Sequence, residues 1–294
     1  MDSYLLPVVM GIIFGFVGRT FLLRTDFRQY PTYPTGRIIH LSLGFIAAFI
    51  GAVAIPAVLE SDWAAVTFLG LAATQFREIR KMERDSLEKI DTNELVKRGA
   101  PFIEGMAQAF ESRNYLVMFT ALVTTLCSVY SIWLGIIGGI VMLIIVKFKM
   151  SGKLLHAIAD VTEADIRFEG PTLFVGDILI KNVGLEDTRK IITEKAVGAI
   201  VIPKNENSIV TLSYLGQRQA MLHHVATVLG CYLDSGEPAL IPLSKRDMAD
   251  GRIALFFLPR EKEFAQIKAV LEKVPVLDSA IRLPEEADKG KSKQ

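Results

Sequence analysis

Cysteine and histidine are scarce in this chain, two and four among 294 residues. Cys127 lies in an apolar run and Cys231 in the more polar second half, so no disulfide is expected and too few thiols remain to ligate a metal. Few histidines also leave few members for a Ser-His-Asp or Cys-His constellation, and no serine sits in a G-x-S-x-G elbow. His223 and His224 are neighbours on an expected helix, where successive side chains diverge by about 100°, so they read as a surface or half-buried pair and not as joint metal ligands. Glycines at 176 and from 216 to 230 lack the spacing of a phosphate loop or a dinucleotide fingerprint. The net charge is +1 and no basic block occurs before the last few residues, which gives nucleic-acid binding no electrostatic support. No cofactor and no metal are expected.

Long apolar runs are what the sequence has instead. Residues 4–23, 38–59, 63–76, 114–128 and 131–147 are nearly free of charge and are read as five transmembrane spans. Arg19 interrupts the first and is expected to snorkel to an interface, and His40 is expected near one. Arg24, Arg28 and Arg37 crowd the first loop, and Arg77, Arg80, Lys81 and Arg84 follow the third run. By the positive-inside rule both places are cytoplasmic, which puts the N-terminus outside and the C-terminal domain in the cytoplasm of a multi-pass cell-membrane protein. Glu60-Ser61-Asp62 is the expected turn between the second and third runs. Gly11 with Gly15 and Gly135 with Gly139 have the small-xxx-small spacing that lets helices approach closely.

The expected fold is therefore an α-helical polytopic membrane domain of about five transmembrane helices, 1–150, followed by a soluble cytoplasmic α/β domain, 151–284, and a disordered tail, 285–294. Within the first domain, 77–113 is a cytoplasmic helical insert whose charges suit i to i+4 pairing up to a break at Gly99-Ala100-Pro101. In the α/β domain, helices are expected at 153–161, 186–196, 217–229 and 261–272. Strands are expected at 165–168, 172–181, 199–203, 209–214, 239–243, 253–258 and 279–283, forming one sheet with helices packed on it. Asp160, Glu163 and Asp165 form an acidic cluster that reads as caps and turn residues before general acid or base chemistry. Glu104, beside Gly105 and the Pro101 break, is the one candidate catalytic residue, with a structural role as its alternative.

The hexapeptide Phe102-Ile103-Glu104-Gly105-Met106-Ala107 resembles the signature of the YIEGIA family of membrane proteins, with Phe for Tyr and Met for Ile. The stretch Gln75-Phe76-Arg77-Glu78-Ile79-Arg80-Lys81-Met82-Glu83-Arg84 is similar to that family too, and the likeness covers nearly the whole chain. The resemblance implies a protein of endospore-forming Firmicutes, made in the forespore, placed in the forespore inner membrane and needed for assembly of the spore envelope. Its partners would be the lipid bilayer and a forespore protein, bound by a cytoplasmic regulatory or scaffold domain. Some family members are regarded as membrane-anchored proteases that control forespore proteins, which makes a protein substrate the alternative.

Overall fold

A computed structural model describes residues 4–26, 34–150, 152–234, 237–238, 240–260 and 262–281. The expected tail at 285–294 and the loop around Arg28 lie outside the described residues. The chain divides into two compact units, Met1–Asp85 with Met106–Gly152, and Ser86–Gly105 with Lys153–Gln294. Residues 86–105, which the sequence reading keeps within the first half, thus group with the second half of the chain.

The first unit is helical. It contains α1 (Leu5–Asp26), α2 (Pro34–Leu59), the first part of α3 (Trp63–Asp91), the later part of α4 (Ala100–Tyr130) and α5 (Ile132–Met150). Its core draws Leu22, Ala47, Ala48, Phe76, Val117, Ala121 and Val146 from all five helices. Small residues bring the backbones close: a methyl group on Gly15 would lie 2.9 Å from the Ala48 Cβ, and one on Gly51 would lie 2.0 Å from the Met118 carbonyl oxygen. Both G-x-x-x-G pairs serve this packing, since Gly139 is covered by the ring of Phe14. The turn at Glu60-Ser61-Asp62 forms as expected, with Ser61 at φ 56° and the Asp62 carboxylate accepting the Ala65 N–H at 3.0 Å as the cap of α3.

The five-span expectation is corrected here. Among the described residues only Leu5–Leu23 and Gly36–Leu59 are helices long and apolar enough to cross a membrane. The third run belongs to α3, which continues as one helix through Arg77, Arg80, Lys81 and Arg84 to Asp91. The fourth belongs to α4, whose earlier turns carry Glu104, Glu111 and Arg113. After a break at Ser131, the apolar part of α5, Ile132–Phe148, is a shorter apolar helix than those two. The cytoplasmic placement of the C-terminal domain counted all five crossings, so it falls with them. The observed architecture is an α/β chain with two helices able to cross a membrane by length and composition.

The second unit is built on two main antiparallel sheets. After a 3-10 turn at Leu155–Ala157 come β1 (Ala159–Ala164), β2 (Ile166–Glu169), β3 (Thr172–Val175), β4 (Ile178–Asn182), α6 (Glu186–Lys195) and β5 (Val197–Pro203). They are followed by α7 (Glu206–Ser213), α8 (Leu215–Leu229), the short pair β6 (Leu233–Asp234) and β7 (Glu237–Pro238), β8 (Leu243–Arg246), β9 (Ile253–Phe257) and α9 (Phe264–Glu272). The four-stranded sheet has the order β1-β5-β9-β8, and β2-β3-β4 form a three-stranded meander. Strands β5 and β9 are buried along nearly their whole length, as expected for central strands covered on both faces. Ala254 and Phe256 of β9 share a core with Leu173, Val175 and Ile178 of the meander. The alternate residues Ile253, Leu255 and Phe257 face the other way.

Several sequence expectations need correction. There are two main sheets and not one. The expected helix at 153–161 is a 3-10 turn leading into β1, and the expected strand 172–181 is broken at Gly176-Asp177 into β3 and β4, Gly176 having φ 61°. Residues 209–214 lie mostly in α7 and not in a strand. In place of a strand from 279 there is a 3-10 turn at Asp278–Ala280.

Candidate functional site

The signature hexapeptide begins where the chain leaves a tightly tied loop. At the end of α3 the Asp91 carboxylate accepts the backbone N–H of Arg98 (2.7 Å) and of Gly99 (3.1 Å), while Arg98 Nη1 donates to Glu94 Oε1 at 3.0 Å. Gly99 is required twice over: its φ is +80°, and a Cβ would lie 2.4 Å from Gln219 Nε2. Pro101 then occupies the first turn of α4, where its missing N–H costs no helical bond.

Helix α8 receives this segment through polar contacts to its backbone. Tyr214 donates its hydroxyl to the Pro101 carbonyl at 3.0 Å, and His223 Nδ1 donates to the Val96 carbonyl at 2.7 Å. A carbonyl can only accept, so the ring carries its proton on Nδ1, and Nε2 lies 3.3 Å from the Thr227 hydroxyl. Buried Gln217 joins α8 to the chain after α9, donating to the Pro275 carbonyl at 3.1 Å and accepting the Leu277 N–H at 2.8 Å. Phe102 is fully buried, with its ring 6.4 Å from that of His223 and 6.5 Å from that of His224. Burial, and next the positive charge of Arg98, push the His223 pKa below its ordinary value of 6.5.

The signature residues are mostly spent on packing. Phe102, Ile103, Met106 and Ala107 are buried. Gly105 is buried as well, and a Cβ on it would sit 2.5 Å from Ser279 Oγ. Glu104 is half-buried. The Ser279 hydroxyl has no hydrogen-bond partner, and His223 is engaged with Val96 and Thr227, so these two do not form a nucleophile and base. Of the two histidines, expected as a surface or half-buried pair, His223 is buried and His224 half-buried, and their rings stand 85° to each other. Among the described residues, no group of three or more His, Cys, Asp or Glu side chains gathers as a metal site.

The structure does not bring the acidic cluster together. Asp160 and Glu163 are three apart on β1 and so point to opposite faces, while Asp165 follows the strand. Asp160 pairs with Lys204 at 3.3 Å. Asp177, in the turn between β3 and β4, instead meets Arg252 through two hydrogen bonds of 3.1 and 2.7 Å, which hold its carboxyl below the usual carboxylate range.

A second polar cluster, in the helical unit, was not legible in sequence. Arg19 does not snorkel: it is fully buried, its Nε donates to the His40 carbonyl at 3.2 Å and its Nη2 to His40 Nδ1 at 3.1 Å. Because arginine only donates, the His40 proton sits on Nε2, 3.6 Å from Glu83 Oε1. The guanidinium lies 5.5 Å from the centre of the Phe110 ring, and Gly44 leaves the room its side chain fills.

Comparison with known proteins gives the affiliation. The model of the YIEGIA protein family matches residues 7–287. The chain belongs to the YIEGIA family. It is similar to the uncharacterized protein YphB of Bacillus subtilis (strain 168), with 48% identity over 294 residues, covering 100% of this chain and 99% of that protein. No solved structure matches. The YIEGIA signature thus lies, in this member, at the start of a helix whose first residues are held by α8.

Proposed function

We propose that this YIEGIA protein is a non-enzymatic, membrane-associated protein of sporulation whose α/β unit recruits or regulates protein partners during assembly of the spore envelope. The observation that carries the reading is the use of the signature itself: Phe102 is buried against the rings of His223 and His224, and Gly105 lies against Ser279, all within their own unit. Such a segment is framework for a surface that others bind. The family resemblance, and a relative from a spore-forming bacterium, support the sporulation context.

Membrane association rests on α1 and α2. Only 33% and 39% of their apolar windows are buried inside the protein, and large apolar side chains such as Leu5, Ile13, Phe21 and Ile38 are exposed. The core helix of a water-exposed protein hides its apolar surface, and a bilayer would cover this one.

The test compares sporulating cells lacking the protein with cells carrying Glu104→Ala or Glu104→Gln at normal level. The expected result is that the deletion spoils the spore envelope, that both variants support it, and that no forespore protein accumulates in the variants. Accumulation of the same specific proteins in the deletion and in both variants would overturn this reading in favour of a membrane-anchored protease with Glu104 in its site.

A further inference from the structure

Two arginines in the α/β unit, Arg218 and Arg246, lie within electrostatic reach of each other and lack an acid partner among the described residues. Register on β8 pairs Ser244 with Leu255 and Arg246 with Ile253, whereas Leu243 and Lys245 pair with Phe256 and Ala254. Phe256 and Ala254 face the three-stranded meander. Ser244 and Arg246 therefore stand on the opposite face of the sheet, the side on which α8 packs against β8 and β9. Arg218 lies in the first turns of α8, the helix that packs on that side.

Both residues are half-buried, and the Nε of each is shut off from solvent with no hydrogen-bond partner. Neither makes an ion pair with any described carboxylate, although the other partly buried arginines of this unit do: Arg98 has Asp91 and Glu94, Arg189 has Glu186, and Arg252 has Asp177 and Asp247. Burial and then the charge of Arg246 lower the pKa of Arg218, which places the two charges within electrostatic reach of each other. Arginine stays protonated at any physiological pH, so the pair cannot relieve its repulsion by losing a proton. Two partly desolvated like charges with unused Nε donors repel each other and attract an anion.

We propose that Arg218 and Arg246 form a binding site for a phosphate group in its dianionic form, with the Ser244 hydroxyl on the same face as a further donor. Two fixed cations match a doubly charged group better than a single carboxylate, and the guanidinium fork suits phosphate oxygens. The group could arrive on a small phosphorylated ligand or on the phosphomonoester headgroup of a lipid, and the chemistry of recognition is the same.

The test uses the purified full chain in detergent, in phosphate-free buffer at neutral pH. The thermal unfolding midpoint is followed as inorganic phosphate is added against chloride at matched ionic strength, and again in micelles doped with phosphatidic acid or with phosphatidylcholine. The midpoint is expected to rise with phosphate or with phosphatidic acid and not with either control. Arg218→Gln and Arg246→Gln should each weaken the response about tenfold or more, in keeping with loss of a charge-assisted pair of hydrogen bonds. A response to inorganic phosphate identifies a soluble ligand, and a response to phosphatidic acid alone identifies the headgroup. No response to either, or an undiminished response in both variants, overturns the site. Without phosphate, Arg246→Gln should be at least as stable as the parent because a repulsion is removed. A marked loss of stability in both Arg246→Gln and the charge-keeping Arg246→Lys would show a structural role instead and would also overturn the proposal.

Discussion

His223 links a protonation state to the packing of the signature segment. Its Nδ1–H is spent on the Val96 carbonyl, its ring abuts Phe102, and burial together with Arg98 disfavours the imidazolium. In the unfolded chain the ring would titrate near 6.5. Between the lowered folded value and that unfolded value the unfolded state binds more protons, so stability rises with pH there. The contribution is fully present above about pH 6.5 and is lost as pH falls through and below it, at about 1.4 kcal/mol for each unit by which the folded value is depressed. Chemical-denaturation midpoints at about pH 7.5 and about pH 5.5 should therefore differ more for the parent chain than for His223→Gln, which keeps a donor for Val96 but cannot be protonated. Equal differences in the two proteins would mean that His223 is not the titrating group. The signature residues could be located by sequence, and Glu104 with them. What Gly105 and Phe102 touch could not, because Ser279 and His223 come from distant parts of the chain. The Arg218 and Arg246 pair was equally hidden, since a single arginine on a helix or strand reads as a solvated charge.

Elements were legible where local pattern and tertiary setting agree. Helix α6 carries Glu186 and Asp187 in its first turn and Lys195 in its last, in accord with the helix dipole, and its expected bounds differ from the observed ones by a single residue. The runs that became β5 and β9 were readable as continuous apolar strands. Helix α7 was misread because Ile209, Val210 and Thr211 are β-branched and favour a strand on local preference. The competing signal was Asn205, whose side chain accepts the Ser208 N–H at 2.9 Å and also the Ser208 hydroxyl at 2.9 Å. A cap acting on a helix with weak intrinsic preference should matter: Asn205→Ala is expected to lower stability by about 1 kcal/mol, and Asn205→Asp to retain most of it. Urea midpoints of the two variants check this, and an unchanged Asn205→Ala would show that packing alone holds α7. The membrane spans were over-read for a related reason. The third and fourth runs were counted as spans although the helices that hold them, α3 and α4, carry charged sequence over much of their length, as the sequence reading itself expected for α3.

The α/β unit is assembled from two stretches of chain, 86–105 and 153–294, with helical sequence between them. A boundary drawn at the composition change near residue 150 cuts the shorter stretch away, and the consequence can be estimated. Phe102 and Ile103 are fully buried, each worth about 1.5–3 kcal/mol against exposure. The hydrogen bonds from Tyr214 to Pro101 and from His223 to Val96 add about 1 kcal/mol each, and their loss would strand a buried imidazole. Together these approach the whole stability of a typical domain, about 5–15 kcal/mol. A fragment beginning at residue 153 should therefore be unstable or aggregate, exposing His223 and the face of α8 that receives the signature segment. Joining 86–105 to it through a flexible linker should restore a cooperative transition, and the same linked fragment carrying Phe102→Ala should lose about 3–5 kcal/mol of that gain. The measurement is the denaturant midpoint of the three fragments. If residues 153–294 fold as stably alone as when linked, the segment that bears the signature belongs elsewhere, and its buried side chains do not explain why the hexapeptide has the composition it has.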